Sequence, residues 1–338
     1  MRSSPLLYSL HRIRTVSNPK NYTLASSLTT TPFQPRSLLI LSTPSCIEFA
    51  ITEIQSLTST NPDLQIVMAG SLSSSHPNNI SELWMDTRMD IKKITPHSFG
   101  EPKRKQWHFV RSQLNLNWQG GVNTSVEVAN GTQLLGDGVL STMFIVDEEN
   151  GSSWANLKEL DIGIPLNIRR TQRLSHLKKL GESTWSVSET NGNVLKSLEG
   201  GSAAQVLMQL LDEAGIKKTV DVFAKVSTGR GSKIHKVIAG GGQWGAGADI
   251  LVLENMEFSA DEDTTIEFLV VDIDTTHPFK VEGLSFENVP LDSQELASDI
   301  AEDTIFEDRL CFGSAGPFDV NGLTHSSPFE ALSFEVED

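Results

Sequence analysis

Cysteine is almost missing from this chain: Cys46 and Cys311 are the only two in 338 residues. Two thiols cannot build a disulfide framework, and their spacing fits no metal motif. Long apolar runs are missing too. Phe268-Leu-Val-Val271 falls far short of the ~18 residues that a bilayer span needs, so no transmembrane helix is expected. No acidic residue precedes Glu48. From Glu254 onward the only basic residues are Lys280 and Arg309, against 22 Asp and Glu. Such a surplus repels phosphates and argues against nucleic-acid binding there. Neither Gly-x-Ser-x-Gly nor Gly-Lys-Ser/Thr occurs, and the eight histidines lack ligand spacing.

What is present supports a folded chain. Apolar residues make up 38% and charged residues 21%, a balance that permits a packed core and excludes wholesale disorder. The first 31 residues carry Arg2, Arg12, Arg14 and Lys20 among many Ser and Thr. Leu6, Leu7, Leu10 and Ile13 fall at helical spacing, which is the pattern of a mitochondrial transit peptide. The expected organisation is a disordered transit peptide over 1–31, an α/β region over 36–200, and a second α/β region over 201–338 ending in an acidic tail. A matrix location follows from the leader.

Ser37-Leu-Leu-Ile-Leu-Ser42 reads as a buried strand. Thr43-Pro44, with Ser45 and Glu48 at capping-box spacing, opens a helix whose stripe is Ile47, Ala50, Ile51, Ile54 and Leu57. Leu64–Gly70 supplies a second strand, so the three form a βαβ unit with parallel strands. Residues 71–105 look loop-rich. Strands are expected at 107–110, 125–128 and 141–146, and a weak helix over 151–163 around Trp154, Leu157 and Leu160. Asn191-Gly192 marks a hairpin. Ser202 caps a helix lined by Ala203, Val206, Leu207, Leu210, Leu211 and Ala214, with Gly215 at its C′ position. Thr219–Val226 and Thr265–Asp274 read as strands, and Asp292 with Glu295 caps a last acidic helix. The fold class is α/β, with mixed β-sheets, an N-terminal βαβ unit and C-terminal hairpins.

The most unusual stretch runs from Ser232 to Glu254, with Gly240, Gly241, Gly242, Gly245 and Gly247 around Trp244. A phosphate cradle needs a helix immediately after such a loop. Here Asp249-Ile-Leu-Val-Leu253 reads as a strand, which favours a long hairpin whose glycines permit positive φ and close backbone approach. Trp244 then packs on the core or lines a pocket, and His235 lies on the strand leading in. Asp272 and Asp274 share a strand face, as a divalent cation requires, and are weak metal candidates against the reading of solvated carboxylates. No cofactor is specified by any motif.

The opening Ser37–Gly70 unit and the run Lys233–Leu253 with its Gly-Gly-Gly-Gln-Trp-Gly loop together resemble fungal FIST-domain proteins, relatives of bacterial sensory FIST proteins. Ser141-Thr-Met-Phe144 fits the same pattern loosely. The resemblance spans roughly residues 36–335 and is strongest in the glycine loop, which departs from the family in running on to Ala-Asp-Ile-Leu-Val-Leu. It implies a non-catalytic sensory or small-molecule-binding protein; the candidate ligand contacts for such a role are Gly240, Gly241, Gly242, Trp244, Gly245 and His235. Two alternatives stand beside it. One is a nucleotide- or metal-dependent enzyme using the 240–247 loop. The other is a mitochondrial assembly or scaffold protein whose acidic C-terminal part docks a partner.

Overall fold

Alternation of apolar and polar side chains sets most of this chain into strands. The computed structural model describes residues 10–73, 78–96, 112–129, 142–147, 152–154, 157–175, 177–216, 220–229, 231–240, 249–254, 256–258, 263–271, 282–289 and 301–337. They form two compact units. Unit 1 takes residues 1–174, 277–326 and 330–338, and unit 2 takes 175–276 and 327–329. A linear cut at residue 200 therefore does not describe the chain, because its C-terminal strands return to unit 1.

Unit 1 begins with β1 (His11–Ser17), α1 (Leu24–Thr30), β2 (Ser37–Ser42), α2 (Ile47–Thr60), β3 (Gln65–Gly70), β4 (Asn79–Met85) and β5 (Asp90–Pro96). It continues with β6 (Ser112–Gln119), β7 (Asn123–Val128), β8 (Phe144–Asp147), β9 (Ser152–Trp154) and β10 (Leu157–Ser175). Unit 2 supplies β11 (Leu177–Lys179), β12 (Trp185–Asn191), β13 (Val194–Leu198), β14 (Gly201–Ser202) and α3 (Ala203–Glu213). Its remaining strands are β15 (Val222–Thr228), β16 (Gly231–Gly240), β17 (Leu251–Leu253) and β18 (Thr265–Val271). The chain re-enters unit 1 as β19 (Gly283–Asn288), β20 (Thr304–Glu307), β21 (Arg309–Ser314), β22 (Phe318–Val320), β23 (Leu323–His325) and β24 (Glu330–Glu337). The architecture is mixed α/β with mixed sheets, as the sequence predicts.

Unit 1 has three layers. Its first sheet runs β20-β1-β4-β2-β3-β8-β9. Strands β2 and β3 are parallel, with Ser37 opposite Gln65 and Ser42 opposite Gly70, and α2 connects them. Both strands are buried along their whole length, which is why their apolar runs do not alternate. The second sheet runs β21-β19-β24-β10-β6-β7-β22-β23, with β5 also paired to β10. Leu39, Val67 and Leu83 of the first sheet share one core with Leu116, Ile162, Phe286, Phe312 and Phe334 of the second. The opposite face of the first sheet carries Leu38, Ile40, Met68 and Trp84 against Leu24 of α1 and Ala50, Ile54 and Leu57 of α2. Fully burying each such side chain stabilises the unit by roughly 1.5–3 kcal/mol.

Four expectations need correction. Residues 11–31 are not a disordered leader but part of the fold. Strand β1 lies between β4 and β20, and Thr15, Val16 and Ser17 are fully buried. Of the residues in the helical stripe, Ile13 lies on β1 and faces one core, while Val16 of the same strand faces the other. Within the expected weak helix over 151–163, the described residues 152–154 and 157–163 are strand. The i, i+3 spacing of Leu157 and Leu160 is absorbed by a register shift between Leu157 and Glu159, after which Leu160, Ile162, Ile164, Leu166 and Ile168 alternate into the core. The loop-rich stretch 71–105 contains β4 and β5. Strand β4 hides because its polar residues Asn79, Ser81 and Glu82 are buried with partners, so it lacks an alternating pattern. The capping box also differs: Thr43 makes no capping bond, and its hydroxyl instead accepts the Asn79 N–H at 2.9 Å. The expected strand at 107–110 and helix from Asp292 lie outside the described residues.

In unit 2 the pairings β15-β16-β17-β13-β12-β18 close on themselves, because β18 also pairs with β15. The helix α3 starts at Ser202, whose side chain accepts the Gln205 N–H. Its Leu207, Leu210 and Leu211 pack with Leu195, Leu251, Ile266 and Phe268 of the strands. The Asn191-Gly192 hairpin joins β12 to β13, with Gly192 at φ +59°. No helix among the described residues is long and apolar enough to cross a membrane.

Candidate functional site

The glycine stretch behaves as a hairpin connection. Strands β16 and β17 are antiparallel, with Gly240 opposite Leu251. Gly240 has φ +130°, and a Cβ there would collide with the Ile250 carbonyl oxygen, so glycine is required on both counts. Gly241, Gly242, Trp244 and Gly245 lie outside the described residues, as do Asp272 and Asp274. His235 sits on β16 opposite Ala224, five residues before Gly240, roughly 17 Å along an extended strand. The described residues therefore do not bring His235 to the glycine loop. Its Nδ1 is 3.0 Å from the Glu254 carbonyl oxygen, which can only accept, so Nδ1 carries the proton. Its Nε2 is buried without a partner among the described residues.

A different cluster lies in unit 1, on the second sheet. Strands β19, β21 and β24 are adjacent and alternate strictly. Leu284, Phe286, Leu310, Phe312, Leu332 and Phe334 enter the core, leaving the intervening residues on the opposite face. Ser285 is opposite Cys311 on one side and Ser333 on the other, so thiol, hydroxyl and hydroxyl stand in a row. Neighbouring strands place them about 5 Å apart. One step along, Glu287 pairs with Gly313 and Ala331; one step back, Gly283 pairs with Arg309. Ser285, Glu287, Ser333 and Cys311 are all buried.

The electrostatics of this face are legible at Cys311. Burial pushes its thiol well above the ordinary range, the Glu287 carboxylate pushes it further, and the Arg309 guanidinium opposes both. Cys311 is thus a neutral thiol lying within the field of one anion and one cation. It is no nucleophile, because the thiolate is suppressed. Two polar atoms here are buried and lack partners among the described residues: Arg309 Nε and Ser333 Oγ. A donor and a hydroxyl left so are costly unless something meets them.

Two other buried clusters in unit 1 contrast with this face. Glu82 is fully buried and accepts from Arg14 Nε at 3.2 Å, Ser27 Oγ at 2.6 Å, Trp84 Nε1 at 2.8 Å and the Tyr22 hydroxyl. Burial disfavours the Arg14 cation, yet Glu82 and Tyr22 outweigh it and its pKa is raised. Such a saturated carboxylate has no capacity left for a ligand. His325 Nδ1 lies 2.8 Å from Glu330 Oε1, which also meets Arg173 Nε at 2.7 Å, and Phe318 stacks on the imidazole. No group of three potential metal ligands occurs among the described residues.

None of these clusters was visible in the sequence. Alternation on β24 could have suggested that Ser333 faces away from Leu332 and Phe334, but the row across three strands depends on register. No family model, curated protein or solved structure matches this chain. The fold and its polar faces are therefore the basis for a functional reading.

Proposed function

We propose that this chain is a non-catalytic small-molecule-binding or sensory protein of FIST type, working in mitochondria. Its ligand is a small polar molecule with both charges, such as an amino acid, held on the outer face of β19, β21 and β24. The single observation behind this reading is the pair of buried atoms, Arg309 Nε and Ser333 Oγ, that lack partners among the described residues, on the face that carries an uncharged Cys311. Arg309 suits a carboxylate, and the hydroxyls of Ser285 and Ser333 suit an ammonium group. A protonated thiol argues for holding rather than transforming the ligand.

The enzyme reading through the glycine loop has less support, because β17 follows the loop and a strand offers no helix dipole to a phosphate. The docking of a basic partner on the acidic C-terminal part is weakened similarly. Glu302, Glu307, Glu330 and Glu335 already meet Lys20, Arg12, Arg173 and Arg169 of the same unit.

A thermal-shift screen of the full chain against amino acids, monocarboxylates, amines and nucleotides tests the proposal. A ligand at one hundred times its Kd contributes about 2.7 kcal/mol, a rise of a few degrees in a chain of this size. Amino acids should raise Tm more than singly charged compounds do, and Arg309→Gln should abolish the rise. No shift with any class sinks the reading.

A further inference from the structure

The N-terminal segment carries two patterns that cannot be used together. At helical spacing, Leu6, Leu7, Leu10 and Ile13 form an apolar stripe with Arg12 and Arg14 nearby, the form in which an address is recognised. In the folded chain Arg12, Ile13 and Arg14 lie on β1, paired over His11–Ser17 with β4 and over Arg14–Ser17 with β20. We propose that residues 10–31, the part of this address that carries Arg12, Arg14 and Lys20, are retained, readable only while the chain is unfolded and consumed by folding rather than removed by cleavage. This rests on the mitochondrial reading above.

Every basic residue of the described part of the segment is committed in the fold. Arg12 meets Glu307 at 2.8 Å and Thr30 Oγ1 at 2.7 Å. Arg14 is 3% exposed and meets Glu82 and the Tyr22 hydroxyl. Lys20 meets Glu302 at 2.6 Å, while the Asp303 carboxylate accepts the backbone N–H groups of Lys20, Asn21 and Tyr22. Glu302, Asp303 and Glu307 come from the far end of the chain, so the segment closes fully only once β20 is present. Cleavage near residue 31 would strip Glu82 of Arg14, Tyr22 and Ser27 together, leaving Trp84 alone of the four donors that meet its carboxylate among the described residues. It would also expose facing edges of β4 and β20. Arg12 and Arg14 cannot be held by Glu307 and Glu82 and be read as part of an address at the same time, so reading and folding exclude each other.

The experiment is to purify the native protein from fractionated source cells and to determine its N-terminus by intact mass. A mitochondrial protein beginning at or before Leu10 supports the proposal. A mature chain beginning anywhere from His11 to Ser37 overturns retention while leaving the location intact. A chain with residues 10–31 present but found outside mitochondria overturns the address half, and with it the mitochondrial reading. A second measurement needs no cells. The chain produced from residue 32 should lose its cooperative melt and regain it when a peptide of residues 10–31 is added. Cooperative melting of that chain within about 2 °C of the full chain, without peptide, overturns the proposal.

Discussion

Glu82 and the outer face of β19, β21 and β24 are both buried polar groups of unit 1, and they differ in one respect. Around Glu82, every strong donor is aimed at an acceptor: guanidinium, two hydroxyls and an indole converge on one carboxylate. On the outer face, a guanidinium nitrogen and a hydroxyl are buried without partners among the described residues. A closed network rigidifies what it joins, here β1, α1 and β4, and offers nothing to a visitor. An open one costs stability until something fills it. That difference separates architecture from candidate site more clearly than burial does.

The largest effect that would break this contrast is at Glu82. Glu82→Ala leaves the Arg14 cation buried without its carboxylate and should cost about 3–5 kcal/mol in urea unfolding of the full chain. A loss below ~1 kcal/mol would place Glu82 in the same class as the outer face. Tyr22→Phe removes one donor from the same carboxylate and should cost about 1–2 kcal/mol. On the other face the sign reverses. Ser333→Ala deletes an unmet hydroxyl, so stability should stay level or rise by up to ~1 kcal/mol, while any ligand-induced rise in Tm shrinks. Marked destabilisation by Ser333→Ala would mean that its hydroxyl has a partner after all.

Unit 2 extends the comparison to a carboxylate nearer the surface, with the smallest expected effect. Glu267 accepts from Lys179 at 2.7 Å, Lys225 at 2.9 Å and Thr184, and these bonds hold its carboxyl down at about 2. A folded pKa below the unfolded value contributes stability that is present above about pH 4.5 and lost as pH falls towards 2. The double variant Lys179→Gln, Lys225→Gln should flatten that acid limb by a few tenths of a kcal/mol, because exposed pairs contribute little. An unchanged slope between pH 4.5 and 2 would remove Glu267 from the account.

Much of the fold was readable without coordinates wherever the signal is local. The runs Ser37–Ser42 and Gln65–Gly70 around α2, the Ser202 cap with Gly215 behind α3, and the Asn191-Gly192 turn each rest on a few neighbouring residues. Gly240 also belongs here, since a glycine-rich segment between two apolar runs signals a hairpin before its φ is known. Strands β1 and β4 were not readable. Their polar residues look like leader and loop until Arg14 meets Glu82, Thr15 meets Ser81 and Ser17 meets Asn79. Strand β10 was misread because a bulge shifted its phase.

The sequence by itself determined the class of fold, the βαβ opening and the hairpins, because periodicity and turn chemistry act over one element at a time. Only the tertiary structure decided that the N-terminal segment is a core strand and that the C-terminal strands rejoin the first unit. It also decided that Ser285, Cys311 and Ser333 stand side by side, and for the same reason. Register between strands far apart in the chain is set by which faces can be buried together, and no local pattern records that choice.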